Sequence, residues 1–130
     1  MTSLPAISSY LEKLPNEALG FAVIEIKSIN DKIDLKKPKN IKLKWFVKSN
    51  KDENIREFID AVKIIEWPNP KPYVWVACEF NKMKILRNFF QKNKKISKNE
   101  MYISSYWKLG LDQEEHKLVK IEDSVKWDVN

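Results

Sequence analysis

The chain has 130 residues, 43% hydrophobic and 12% aromatic, which suits one domain with a buried core and excludes a disordered segment. Its net charge of +6 is almost all Lys, spread along the chain, with Arg only at Arg56 and Arg87, so an anionic small ligand explains the charge at least as well as nucleic acid. One cysteine, one histidine, no signal-peptide start and no apolar run near the ~20 residues of a membrane span exclude an internal disulfide and a Cys/His zinc site, and point to a reducing cytoplasm.

Taken in chain order, Ser3 can cap a helix in which Pro5 suits the first turn and Ile7, Tyr10, Leu11 and Leu14 recur at helical spacing until Pro15. Gly20 to Ile26 is a short, nearly continuous apolar run, the pattern of a strand buried on both faces. Lys27 to Asn40, with Pro38, reads as an irregular loop, and Ile41 to Val47 alternates as a second strand. Asp52 can cap a helix from Glu53 to about Ile64, with Ile55, Phe58, Ile59, Val62 and Ile65 inward. The proline-rich stretch from Trp67 to Pro72 is a rigid connector. Tyr73 to Cys78 is a third apolar strand. Asn81 can cap a third helix running to Lys92, with Met83, Ile85, Leu86, Phe89 and Phe90 inward. Met101 to Ser105 is a fourth strand, and a largely charged helix runs from Leu111 to about Val125. Alternating helices and buried strands with mostly short connections predict an α/β fold: one domain, three-layer, with a mainly parallel sheet and helices on both faces. A doubly wound nucleotide-binding domain opens with a strand, whereas this chain opens with a helix, so the expectation is that the first strand is missing from this chain or that something else fills its place.

Three segments carry a resemblance. Thr2-Ser3-Leu4-Pro5-Ala6-Ile7 with Leu11-Glu12-Lys13-Leu14-Pro15 is similar to the phosphate-loop segment of the siderophore-interacting proteins, NADPH-dependent ferric-siderophore reductases related to ferredoxin–NADP reductase. Tyr73-Val74-Trp75-Val76-Ala77-Cys78-Glu79 resembles that family's Trp-Val-Ala-Gly-Glu strand end. Met101 to Gly110, with Tyr106-Trp107-Lys108-Leu109-Gly110, resembles its Tyr-Trp-Arg-x-Gly signature. Cys78 stands where the family has Gly, and Lys108 where it has Arg; the family's Gly-Asp-Glu turn and FAD-binding barrel are absent from this stretch.

The resemblance implies an NADP(H)-binding lobe, with FAD on a domain outside this chain and a ferric siderophore as the electron acceptor. It places the pyrophosphate at the helix start formed by Thr2, Ser3 and Leu4, where an ordinary N-cap is the competing explanation. In folds of this kind the ends of the first two strands border the adenosine, and Lys48 is the electrostatic candidate for a 2′-phosphate, against a plain solvated Lys. The resemblance puts the nicotinamide side at Ala77, Cys78 and Glu79. The Cys78 thiol, a nucleophile only if activated, reads better as a buried, inert group. Tyr106, Trp107 and Lys108 would border the iron chelate or shield the flavin, against core packing of Trp107 and a solvated Lys108. His116, in a run of charges, is expected to be exposed. No residue is singled out as catalytic or metal-binding. Two further readings stay open: a catalytically inactive remnant serving as a binding or oligomerisation module that completes its sheet with a second chain, and a basic nucleic-acid binder.

Overall fold

A computed structural model describes residues 3–47, 55–65, 67 and 72–129. They fall into two compact units, Thr2–Tyr73 and Val74–Asn130. The elements are α1 (Leu4–Lys13), β1 (Gly20–Ile26), β2 (Ile41–Val47), α2 (Ile55–Lys63), β3 (Val74–Glu79), α3 (Phe80–Lys92), β4 (Met101–Trp107) and α4 (Gln113–Val129). Short 3-10 turns precede β2 at Ile29–Asp31 and β4 at Lys98–Glu100.

In the first unit β1 and β2 run parallel, in register from Gly20 opposite Ile41 to Ile26 opposite Val47. Ile24, Ile26 and Ile41 from the strands, Leu11 from α1, and Phe58, Ile59, Ala61 and Val62 from α2 are buried. Phe46 meets Phe58 edge-on, with ring centroids 5.8 Å apart. α1 begins at Ser3 as expected, with Pro5 in its first turn, but the Ser3 hydroxyl makes no capping hydrogen bond; only its carbonyl accepts, from Ile7 N at 3.0 Å. The cap expected at Asp52 lies outside the described residues, as do the calls on Thr2 and Lys48.

In the second unit β3 and β4 also run parallel, from Val74 opposite Met101 to Cys78 opposite Ser105. α3 packs on both strands and α4 on β4. Phe80, Met83, Leu86, Phe89 and Phe90 of α3 are buried with Val74, Ala77, Ile96 and Met101, whereas Ile85, expected to face inward, is exposed. β4 runs two residues further than its apolar run suggested, because pairing with β3 and not hydrophobicity carries it to Trp107.

The α/β class with parallel strands is what the sequence pattern indicated. Among the described residues the strands form two separate two-stranded parallel pairs. No helix in them is long and apolar enough to cross a membrane, and no group of His, Cys, Asp and Glu there could hold a metal ion.

Candidate functional site

Parallel strands deliver their carboxyl ends to one edge, and in open α/β sheets ligands bind beyond that edge. In the second unit that edge is built from Ala77-Cys78-Glu79 of β3, the start of α3, and Tyr106-Trp107-Lys108 at the end of β4. The register breaks there: Cys78 lies opposite Ser105 but Glu79 opposite Trp107, so Tyr106 is an extra residue on β4. Such a bulge bends the strand and re-aims the side chains beyond it.

Glu79 organises this end. It is only 2% exposed, and it, not Asn81, is the N-cap of α3. The Asn81 and Lys82 amides donate to its Oε1 at 2.8 and 3.2 Å, so orphan donors of the helix start are met by an acidic side chain, which the helix dipole also favours. Its Oε2 accepts from Leu109 N at 3.1 Å and from the Asn81 side-chain amide at 3.4 Å. One buried carboxylate thereby joins the strand, the helix and the turn after β4. Lys108 opens that turn, half-buried, its ammonium 4.8 Å from the centre of the Phe80 ring. Gly110 follows at φ +84°, a conformation that suits glycine.

Two residues that sequence reasoning missed lie behind the turn. His116 was expected in solvent but is 9% exposed, and its Nε2 lies 2.9 Å from the hydroxyl of Ser105, which is fully buried. Burial pushes the imidazole below its usual range. Lys120 pushes the same way, Glu79 opposes, and Lys108 adds to the lowering. The clue lay in Asp112-x-x-Glu115: Glu115 N donates to Asp112 Oδ1 at 2.8 Å, which starts α4 and sets His116 one turn inside it.

The other predicted positions have mixed settings. Ala77 and Cys78 are buried, and the Cys78 thiol donates to the Glu79 carbonyl at 3.5 Å, in keeping with an inert group. Tyr106, Trp107 and Lys108 are half-buried. Burial, together with a hydroxyl hydrogen bond to Tyr102, pushes the Tyr106 phenol above its usual range. Ser3 and Leu4, at the α1 start in the other unit, are half-buried, and no acidic residue occupies that helix's first turn. What the β3–β4 end offers chemically is a cation and aromatic rings on a rigid, hydrogen-bonded frame. Those groups suit an anionic, flat or chelating ligand.

Residues 1–110 match the sequence model of the family described as siderophore-interacting protein. The chain is 30% identical over 118 residues to a ferric vibriobactin reductase of Vibrio cholerae, covering 88% of this chain and 42% of that one. A shorter stretch of 42 residues is 38% identical to a ferric acinetobactin reductase of Acinetobacter baumannii, covering 32% and 15%. The fold matches the siderophore-interacting protein SipS of Aeromonas hydrophila with a TM-score of 0.82 at 23% identity, over 94% of this chain and 48% of that one. A siderophore-interacting protein of Acinetobacter baumannii gives 0.81 at 22%, over 98% and 51%. The chain spans about half the length of the vibriobactin reductase and of the two solved structures. With the match running from the first residue through the turn that Glu79 holds, the chain belongs to the siderophore-interacting protein family.

Proposed function

We propose that this chain is the NAD(P)H-binding lobe of a flavin-dependent ferric-siderophore reductase, and that it acts with an FAD-binding domain outside the chain. The observation that carries the reading is the family match over residues 1–110, joined to parallel strand ends that present Lys108 and two aromatic rings. When bound, nicotinamide and flavin supply hydride and single-electron chemistry, and ferrous iron leaves the chelate because it is held more weakly. The chain's own part is to bind and orient. The start of α1 at Ser3 and Leu4 carries the positive end of the helix dipole and no competing carboxylate in its first turn, which suits a pyrophosphate. Ala77 and Cys78 form the floor on the nicotinamide side, with Glu79 acting from beneath. Tyr106, Trp107 and Lys108 form one wall of the chelate site, where the ammonium attracts an anionic catecholate or hydroxamate complex.

Calorimetry of the purified chain with NADPH and NADH tests the reading: saturable binding of either supports it, and no heat at millimolar nucleotide removes it. A second reading, an inactive module that completes its sheet with another polypeptide, is favoured by the two separate parallel pairs, since two-stranded parallel sheets are poorly stable alone. Light scattering during size-exclusion chromatography separates the two, because a monomer at every concentration argues against self-assembly.

A further inference from the structure

We propose that Glu79 and His116 are positioning residues for Lys108: they clamp the turn from Lys108 to Gly110 from both sides, and the clamp opens in acid. The idea rests on the reading of Lys108 as the contact for an anionic chelate and adds how its ammonium is held in place. On one side, Leu109 N donates to Glu79 Oε2 at 3.1 Å while Oε1 accepts the first amides of α3. The turn is thereby fastened next to Phe80, whose ring lies 4.8 Å beneath the ammonium. On the other side, Leu111 N donates to the Lys108 carbonyl at 3.1 Å and His116 N to the Asp112 carbonyl at 2.9 Å. The imidazole then ties this first turn of α4 to Ser105, three residues before Lys108 on β4.

Among the described residues, three charged groups act on the His116 ring. Glu79 approaches from the junction of β3 and α3, Lys108 from the turn, and Lys120 from α4 itself; the group from β4 is the neutral Ser105 hydroxyl. A proton on the buried ring sets a third cation against Lys108 and Lys120. It also competes for the Glu79 carboxylate that holds Leu109. Both effects push the turn away from α3. Neither residue touches the ligand in this scheme; each acts through the turn.

NMR on the ligand-free 130-residue chain tests the clamp. The Leu109 amide proton should lie downfield and exchange slowly, and the Lys108 ε-methylene protons should lie upfield under the Phe80 ring current. In Glu79→Gln both signals should move toward unstructured positions, with Leu109 exchange faster by about tenfold or more, while the β1–β2 amides stay unchanged. In the unsubstituted chain both signals should move together with the His116 ring, at a midpoint below the usual 6.5. His116→Gln, whose amide nitrogen can take the place of Nε2, keeps a polar partner for Ser105 without a titrating group, and should abolish the pH step while preserving the Lys108 shift. Unchanged Lys108 and Leu109 signals in Glu79→Gln overturn the proposal, as does a His116 titration that neither signal follows. Should Glu79→Gln not fold, the titration of the unsubstituted chain decides alone. Adding a ferric tris-catecholate is a separate arm: a Lys108 signal that ignores it removes the ligand reading and not the clamp.

Discussion

At the scale of single residues, the buried hydrogen bond between Ser105 and His116 ties stability to pH. Ser105→Ala leaves a buried ring nitrogen without that partner and should cost about 1–3 kcal/mol in urea unfolding. The sign of the pH effect follows from the direction of the shift. The folded imidazole titrates below its usual range, so between the two values the unfolded chain binds more protons. The associated stability is complete above the unfolded value near 6.5, is lost as pH falls below it, and levels off once the folded ring is also protonated. Urea midpoints from pH 8 to pH 5 should therefore fall on the acid side, and the His116→Gln variant should flatten that part of the curve. Glu79 illustrates a different point: the residue type that looks like a ligand contact is spent on backbone amides, and Asn81, the better capping residue by composition, lies one step inside the helix.

At the scale of elements, α3 and α4 are held by different forces. α3 inserts Phe80, Met83, Leu86, Phe89 and Phe90 into the core, so Leu86→Ala should cost about 2–5 kcal/mol by the cavity it leaves. The less exposed positions of α4 are His116, Val119, Asp123 and Trp127, a helical stripe in which two of the four residues are ionisable. Arg87 of α3 donates to both carboxylate oxygens of Asp123 at 2.9 and 3.0 Å and stacks on Trp127, and Lys98 donates to the Trp127 carbonyl. The Arg87 guanidinium holds the Asp123 carboxyl below its usual range despite partial burial. That contribution is present above the unfolded carboxyl value and disappears as pH falls through the folded one. Asp123→Asn should therefore lower stability at neutral pH by about 1–2 kcal/mol in the same denaturant assay, and by much less at strongly acid pH. Meanwhile Leu118, Ile121 and Val125, the apolar residues at helical spacing, are exposed. Apolar periodicity alone selects the wrong face of this helix.

At the scale of the whole molecule, each parallel pair ends at strands with one hydrogen-bonded neighbour among the described residues, and the chain spans about half of its relatives. Parallel sheets are normally covered on both faces and flanked by further strands. On the function proposed above, the chain behaves as a part. The chain alone, with NADPH and added FAD, should give no turnover of a ferric siderophore, and turnover should appear when a flavin-binding domain from a relative is supplied. Reduction by the chain alone, followed by the loss of ferric-chelate absorbance, would sink the view that it works as one lobe. A basic nucleic-acid binder predicts instead steep salt-dependent binding to oligonucleotides.

The sequence by itself determined the class and order of the elements, because the buried residues of β3 and the apolar face of α3 are written in short-range hydrophobic periodicity; β1, expected to be buried on both faces, buries only Ile24 and Ile26 and leaves Phe21 exposed. It also carried the family, through Leu4-Pro5-Ala6-Ile7, Trp75-Val76-Ala77 and Tyr106-Trp107-Lys108. Only the tertiary structure decided that Glu79 clamps the turn after β4, that Tyr106 is an extra residue in the ladder, and that His116 is buried on Ser105. Those contacts join residues 11 to 30 positions apart through polar atoms. Their energy depends on direction and distance, which the chain acquires only once β3 and β4 lie side by side.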